Sequence, residues 1–578
     1  MKLLLSLLLM LLPAVVQAQF TFTTNNGAIT ITGYTGPGGT VIIPDTTNGY
    51  PVTSIGGGAF SSTNITSVTI PGSITSIGDG AFYGCIKLAS LTIPSSITNI
   101  GAAAFNSCLS LTNVAIPASV TSIGDYAFFY CTNLTAIAVD AANPSYSSAD
   151  GVLFNKDQTT LIQFPFGKTG SYSIPGSVTS LADEAFGMND HGQYPFPYSA
   201  CAGLTNLFIP GSVTNIGDHA FSHCTGLVGV TLANGVSSLG TNAFSWCSNL
   251  IGITIPSSVA GIGDSAFYYS GLTQVTIPGS VTKFGLGAFA VCSSLTSVTI
   301  QDGVTGIGVA GFNFCTNLTC IAIPDSLTSI GERAFWFCTG LTNATIGCNV
   351  TNIGQFAFSA CASLMSISVS PHNMFYGSVD GVLFNKDHTT LIQFPSGRGG
   401  SYTVPSGVTN IGDYAFGTYD PPPGYSFFYA PSYVNLTNII VPSSVITIGY
   451  DNFYSLNNLT RIYFEGNAPF NPNSLSYGFH ITVYYLPGTT GWDTTFATFP
   501  TALWLPTMQT SDGSFGVQTN QFGFNIQWAS GQTVVAEAST NLVDWQPVQT
   551  NTLTSGTSYF SDPQWTNYPG RFYRLRSP

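Results

Sequence analysis

The sequence predicts a mostly β chain with short helical turns, in which a parallel-sheet solenoid spans residues 51–465 and a small antiparallel β-sandwich spans residues 508–578. The first observation behind this prediction is an Ala–Phe pair that returns along the chain, with Phe82, Phe105 and Phe128 each 23 residues apart. The second is a cysteine three residues after most of these phenylalanines. A fixed period in the 20s indicates stacked coils that bury their apolar faces only against one another. The third is that this phase ends before residue 508, where short alternating strand patterns take over.

The N-terminal residues predict export followed by a cap. Lys2, the apolar run 3–12 and the small-residue site at 16–18 are typical of a secretory signal peptide over residues 1–18. The apolar run is too short to span a bilayer, so we expect no membrane span in the mature chain. Residues 19–50 alternate as strands around Asn26-Gly27, which predicts an N-terminal β cap over the open end of the stack.

One repeat, residues 82–105, illustrates the expected coil. Apolar and polar residues alternate at the end of the run 88–93, which predicts a short strand that Pro94 ends because proline cannot donate a ladder hydrogen bond. A second extended piece follows, and Ala104-Phe105 is then predicted to open a helical or 3₁₀ turn. Aspartate precedes this turn in several repeats, where we expect it to cap a short helix: Asp79, Asp125, Asp218, Asp264 and Asp413.

Two longer repeats carry a duplicated insertion. Residues 151–165 and 381–395 agree at fourteen of fifteen positions. Each segment is predicted to form a hairpin inserted into a solenoid coil, near residues 140–175 and 370–405. Residues 466–507 are predicted to form a C-terminal cap and linker.

The repeat, C-x-x-L-x-x-I-x-I-P-x-x-V-x-x-I-G-x-x-A-F, resembles the BspA-like (treponemal-type) leucine-rich repeats over about residues 50–465. The run EASTNLVDW … FSDP … RFYRLR is similar to a C-terminal β module of exported bacterial proteins, for which sorting, surface retention and glycan contact stay open as roles. The resemblance implies a leucine-rich-repeat solenoid on an exported or surface protein. It also implies adhesion or protein recognition as the function, and no catalytic motif.

Ten cysteines share one slot of the repeat, and stacking is expected to place them in a ladder. We predict that these thiols are buried and unbridged, because free cysteine packs as a small hydrophobe and Ser270 fills the slot in one repeat. A disulfide between Cys320 and Cys348, which are out of phase, stays open. The ladder residues are Cys85, Cys108, Cys131, Cys201, Cys224, Cys247, Cys292, Cys315, Cys338 and Cys361.

The candidate binding residues are aromatic side chains in two loops, residues 187–200 and 417–433. The sheet face is expected to be flat, polar and nearly uncharged, and to lack the Trp, Tyr and Arg side chains on which binding energy usually depends. Two interpretations of the loops stay open, contact with a protein or glycan ligand and packing over the flank of the solenoid. The residues are Tyr194, Phe196, Tyr198, Tyr419, Tyr425, Phe427, Phe428, Tyr429 and Tyr433.

Composition argues against several functions. The net charge is −13 and only 6% of residues are charged, whereas phosphate binding needs clustered Lys and Arg, so no nucleic-acid partner is expected. Paired Cys-x-x-Cys motifs and clustered histidines are missing from the sequence, so we expect no metal site. No catalytic residues, no enzymatic activity and no cofactor are predicted.

These observations together predict a secreted or cell-surface protein that mediates adhesion or protein recognition without catalysis. Its ligand would be a protein or a glycan. Two alternatives stay open, a carbohydrate-binding surface protein and a structural matrix component.

Overall fold

The computed structural model describes residues 19–188, 199–417, 435–453, 456–470 and 481–578. These residues are almost entirely β-strand and turn, and the one helix among them is the 3₁₀ segment Trp565–Asn567. The chain divides into two compact units. The first runs up to Leu341 and includes Asn349–Ala357, and the second comprises Thr342–Cys348 and Phe358–Pro578.

In the first unit each coil contributes one strand to each of two rows. The strands of the longer row are Gly39–Ile42, Ile65–Thr69, Ser90–Thr92, Asn113–Ile116, Ala136–Val139, Gly170–Ser173, Leu204–Ile209, Gly229–Leu232, Gly252–Thr254, Gln274–Ile277, Ser297–Ile300 and Cys320–Ala322. The strands of the shorter row are Ser76–Ile77, Asn99–Ile100, Ser122–Ile123, Ser180–Leu181, Asn215–Ile216, Ser238–Leu239, Gly261–Ile262, Lys283–Phe284, Gly306–Ile307, Ser329–Ile330 and Asn352–Ile353.

Strands within each row pair in parallel, with equivalent repeat positions side by side. Asn206 pairs with Gly229, and Gly229 with Gly252, each 23 residues further on. The parallel-sheet solenoid that the period predicts is confirmed. Before the first coils, Phe20–Asn25 and Ala28–Tyr34 form an antiparallel hairpin that turns at Asn26-Gly27. A second hairpin joins Thr46–Thr47 to Tyr50–Ile55.

The repeated phenylalanines form stacks inside the coils. The ring centroids of Phe221 and Phe244 lie 5.0 Å apart, and those of Phe244 and Phe267 lie 5.5 Å apart, with the ring planes within 8° of parallel. All three side chains are fully buried. Each offset-stacked pair contributes roughly 0.5–1.5 kcal/mol beyond the burial of its area.

The Ala–Phe segments are tight turns and not the expected short helices. In one coil Phe82 N–H donates to Ala104 of the next coil (2.8 Å), whereas Cys85 N–H donates back to Phe82 (3.2 Å). The residues two before and two after Phe82, Gly80 and Gly84, have left-handed φ values of 57° and 68°. A helix would direct every N–H along its own axis. Here alternate N–H groups bond to the neighbouring coil, so the turn takes part in the stacking.

The aspartate found in several coils serves this stacking too, and the expectation that it caps a helix is wrong. Asp79 Oδ1 accepts a hydrogen bond from the N–H of Ala102 in the next coil (2.8 Å). Asp218 and Asp264 accept in the same way from Thr241 and Leu286 (2.7 Å each). The carboxylate therefore satisfies a donor on the neighbouring coil, which a helix N-cap would not do.

Glycine in the Ile-Gly slot sets how closely the coils approach. A Cβ added to Gly263 would lie 2.5 Å from the carbonyl carbon of Gly240 in the preceding coil. Any side chain at this position would force the two backbones apart, which explains why the slot repeats as glycine.

The duplicated segments are hairpins built into the stack. In the first unit Tyr146–Ala149, Val152–Asn155 and Thr160–Gln163 form an antiparallel meander, and Thr160–Gln163 pairs in parallel with Ser180–Leu181 of the following coil. Phe164 stacks on Phe186 at 4.6 Å, so it takes the place of a repeat phenylalanine.

The second unit contains further coils and the second hairpin. Its longer row comprises Asn343–Ile346, Ser366–Val369, Gly400–Thr403, Leu436–Val441, Arg461–Phe464 and Thr482–Tyr485. The shorter row comprises Asn410–Ile411 and Thr447–Ile448, and the hairpin strands are Tyr376–Val379, Val382–Asn385 and Thr390–Gln393. Thr495–Phe496 and Phe499–Leu503 close the row.

The C-terminal residues form two antiparallel sheets, as predicted. One contains Thr507–Met508, Gly516–Gln518, Gln521–Gln527 and Thr557–Asp562, and the other contains Thr533–Ser539, Gln546–Thr552 and Phe572–Arg576. Phe524 from the first sheet and Val534 from the second share one buried apolar cluster. Glu537 accepts hydrogen bonds from Arg574 and Arg576 at 2.7 and 2.6 Å, which hold the pKa of its carboxyl below the usual range.

A substitution at Val291 tests the left-handed backbone conformation of the turn. Val291 occupies the position two residues after Phe289 with φ 60°, a conformation that costs a non-glycine residue about 1–2 kcal/mol. We expect V291G to raise the free energy of unfolding by up to about 1 kcal/mol, measured by denaturant titration. V228G is the control, because Val228 is 39% exposed and lies outside the left-handed region. That variant should lose about 0.5–1 kcal/mol, and a loss of similar size in V291G would contradict the assignment of the turn.

Candidate binding surface

All ten ladder cysteines are buried inside the coils. Their thiols are hydrogen-bond donors as well as packing groups. Cys247 Sγ donates to the carbonyl of Phe221 at 3.1 Å, and Cys315 Sγ donates to that of Phe289 at 3.2 Å. Most of the ladder thiols bond in this way to the phenylalanine of the preceding coil, whereas Cys201 donates to Phe186 of its own repeat at 3.1 Å. Ser270 keeps a hydroxyl in this slot, 3.2 Å from Cys292 Sγ.

Burial makes these thiols poor nucleophiles. It raises the pKa of Cys131 to about 12 and that of Cys292 to about 11. Because the thiolate is the reactive form, the ladder is suited to a structural role. The two cysteines outside the ladder differ: Cys320 carries a free, exposed thiol, and Cys348 is half-buried.

The nine aromatic residues predicted from the loops, from Tyr194 to Tyr198 and from Tyr419 to Tyr433, lie outside the described residues. Loop contact with a ligand therefore stays a prediction. Within the described residues, the candidate binding surface is the outward face of the longer strand row.

Two rows of outward side chains run across this face in the first unit. Along one, Ser171 is followed by Asn206, Gly229 and Gly252 in neighbouring strands. Along the other, Ser173 is followed by Phe208, Thr231 and Thr254. The rows are polar, as expected, and contain no Trp, Tyr or Arg, but they include one aromatic side chain. Phe208 points outward and is 41% exposed.

The two adjacent glycines leave an open depression of about 620 Å³, here named the Gly229–Gly252 groove. Its floor is the backbone of these two strands, and its walls include Phe208, Asn206 and Gln274. The volume lies within the range of about 300–1,000 Å³ that is typical of ligand pockets. None of the residues that line the groove is charged; the complete lining is Ser171, Tyr172, Ser173, Asn206, Leu207, Phe208, Gly229, Val230, Thr231, Gly252, Ile253, Thr254 and Gln274.

The sequence hides Phe208 because it lies between Leu207 and Ile209, which are both buried. Three consecutive apolar residues give no alternation, so the outward position cannot be recognised from this strand alone. Alignment with the neighbouring coils does give a signal, since Phe208 falls in the slot that Thr231 and Thr254 fill in the next two.

A second aromatic group lies on the outward face in the second unit. Tyr463 stacks on Tyr484 at 5.1 Å and lies 4.6 Å from the ring of Trp504. Burial raises the pKa of Tyr463, and Arg461 partly opposes this increase. The carbonyl of Trp504 accepts a hydrogen bond from Trp528 Nε1 at 2.9 Å. Because Trp528 belongs to the C-terminal apolar cluster, this group joins the last coil to the C-terminal sheets.

The described segments contain no group of three or more His, Cys, Asp or Glu side chains arranged to hold a metal ion. Within them, no helix has the length and hydropathy that crossing a bilayer requires.

Comparison with known sequences identifies the repeat. The family described as "BspA type Leucine rich repeat region" matches residues 53–189, 192–308, 285–418 and 424–488. Among curated proteins, none matches the sequence of this chain.

Solved structures of similar proteins are available for comparison. A leucine-rich repeat protein from Bacteroides ovatus is 24% identical, with a TM-score of 0.43, and the match covers 77% of this chain and 93% of that one. A leucine rich cell surface protein from Faecalibacterium prausnitzii is 24% identical, with a TM-score of 0.32 and coverage of 78% and 94%. The pneumococcal vaccine antigen PcpA is 21% identical, with a TM-score of 0.35 and coverage of 61% and 92%.

The raised thiol pKa of Cys292 predicts a pH dependence of stability. Its unfolded pKa is near 8.5, and its folded pKa is about 11. The native state therefore holds the proton more tightly, and the thiol's contribution is complete below about pH 8 and lost as the pH rises to 11. We expect the stability difference between the parent and C292S to fall by roughly 2–3 kcal/mol from pH 8 to pH 11, measured by urea titration.

C320S is the matched control, because the side chain of Cys320 is exposed. The stability difference between the parent and C320S should stay constant over the same pH range. If the difference between the parent and C292S also stays constant, the Cys292 thiol is not held in a buried, neutral state.

Proposed function

We propose that this chain, which belongs to the BspA-type leucine-rich-repeat family, is a secreted or cell-surface recognition protein. It binds an extracellular protein or glycan and performs no chemistry on it. The signal-peptide pattern of residues 1–18 supports export of the chain. The expectation that it acts in adhesion follows from the family.

The observation that supports recognition best is the Gly229–Gly252 groove on an otherwise regular face. The interior of each coil is filled by the phenylalanine stack, the cysteines and the strand leucines and isoleucines, so the coils offer their outer surface for contact. That surface is built on paired strands, which hold outward side chains at fixed spacing. Such a rigid array favours binding over steps that need closing lids.

Contact through the aromatic loops is the second part of this proposal. Tyr425, Phe427, Phe428 and Tyr429 supply four aromatic side chains within five residues. Aromatic side chains dominate the binding energy of many interfaces. The loops and the groove are therefore alternative main contacts, and separate variants distinguish them.

The charge balance predicts that binding is insensitive to salt. Only 6% of the residues are charged, and the groove lining has none. Screening weakens interactions between charges and leaves neutral contacts almost unchanged. We expect the affinity of the mature chain for its surface ligand to change by less than about twofold between 50 and 500 mM NaCl, measured by surface plasmon resonance.

The same assay compares two variants. In one, Tyr425, Phe427, Phe428 and Tyr429 are replaced by serine, and in the other Phe208 is replaced by threonine. At least tenfold weaker binding in one variant, with an unchanged melting transition, assigns the main contact to that surface. A steep loss of affinity with salt, or release of a reaction product from the ligand, would contradict the proposal of neutral, non-catalytic recognition.

A further inference from the structure

We propose that the Gly229–Gly252 groove is a binding subsite for a neutral saccharide, with the ring of Phe208 as its stacking platform. This inference rests on the proposed recognition function and adds the class of ligand and the residues that contact it.

One glycine of the groove, Gly252, is not required by the fold. A Cβ added to Gly252 would meet nothing within 4 Å, whereas one added to Gly263 would collide with the preceding coil. Gly252 has no left-handed φ, and its strand pairs without a bulge. Glycine inside a strand weakens it by about 0.5–1 kcal/mol relative to alanine. Where no bulge or bend explains it, such a glycine often marks the close approach of a ligand.

Equivalent positions in the other coils of the first unit carry side chains. The slot of Gly252 holds Asn113 and Ala136 in earlier coils, and it holds Ser297 and Cys320 in later ones. The gap is therefore local to two neighbouring strands. The remaining coils show that this slot accepts serine and asparagine. A side chain of either type at residue 252 would therefore fill the groove without a change in the backbone conformation.

Phe208 gives the groove one apolar wall. Its ring is 41% exposed and stands beside the threonines of the next two strands. An exposed aromatic ring on a polar face presents a flat apolar surface at little conformational cost, since only two side-chain torsions need to be fixed. The C–H face of a pyranose ring is likewise flat and apolar, so the two surfaces are complementary.

The rest of the lining supplies hydrogen-bonding groups for hydroxyls. Asn206 Nδ2 lies 3.4 Å from both Ser171 Oγ and Thr205 Oγ1, at the long limit of a hydrogen bond, so a ligand can replace these contacts. Gln274 adds a second side-chain amide to the lining. Each amide carries both donors and an acceptor, which matches the mixed character of sugar hydroxyls.

The uncharged lining of the groove favours a neutral sugar over other polar ligands. No Lys, Arg, Asp or Glu lines the groove, and the chain as a whole carries a net charge of −13. A sulfated or uronic-acid glycan would find no counter-charge there and would be repelled at long range. A protein partner would be expected to use more than one aromatic or arginine anchor at the centre of its contact.

The test uses the mature full chain and a panel of neutral hexasaccharides of glucose, xylose, mannose and galactose. Binding is measured by isothermal titration calorimetry. We expect at least one saccharide to bind, with G252N and F208T each weakening binding at least tenfold. S297N is the matched control, because Ser297 occupies the slot of Gly252 two coils further on, beside Gln274 but outside the lining. It should bind as the parent does, and all variants should keep the parent's melting temperature.

Three outcomes overturn the inference. The first is that no neutral saccharide binds at millimolar concentration, and the second is that G252N and S297N bind equally well. The third is that G252N and F208T abolish binding of a protein ligand while no saccharide binds. In the third case recognition at the groove stands and only the saccharide class fails. By contrast, a mature chain that binds no extracellular ligand would count against the proposed function itself.

Discussion

Each coil of this protein can bury its apolar side chains only against the next coil, and the rest of the structure depends on this constraint. Stacking demands that equivalent residues meet at every step. The phenylalanine rings lie in contact at about 5 Å, and most ladder thiols, such as that of Cys247, bond to the preceding coil. The aspartate carboxylates also support the stacking, because they accept hydrogen bonds from N–H groups of the next coil. The glycines of the Ile-Gly slot support it by leaving room for the backbone of the preceding coil.

The sequence period was sufficient to predict the stacked coils and their parallel pairing, and the duplicated segment at residues 151–165 and 381–395 was sufficient to predict the two hairpins. The period was not sufficient for the conformation of the Ala–Phe turns. Asp79 followed by Ala81-Phe82 has the composition of a short capped helix, and local propensity favours that interpretation. The neighbouring coil decides otherwise, since it offers carbonyl and amide partners to every second residue. Left-handed residues as bulky as Val291 and Phe314 result, which no local rule anticipates.

The residues of the groove could not be recognised from the sequence alone either. Phe208 is one of 41 phenylalanines, and Gly252 is one of 63 glycines, so neither stands out by composition. Their importance lies in their positions: one faces outward from a run of core residues, and the other is a glycine that packing does not need. Only the register between coils places both in the lining of one groove. The aromatic loops, in contrast, were evident from sequence because their prolines and tyrosines cluster along the chain.

Removal of one complete coil tests most directly the claim that stacking of equivalent residues sustains the fold. Deletion of residues 222–244 joins Phe221 to Ser245 and leaves every slot in register, whereas deletion of residues 222–233 shifts all later slots by half a coil. The account predicts that the first variant keeps a cooperative thermal transition and a β-rich circular dichroism spectrum, and that the second loses both. Equal destabilisation of the two variants, or loss of folding in the first alone, would contradict it.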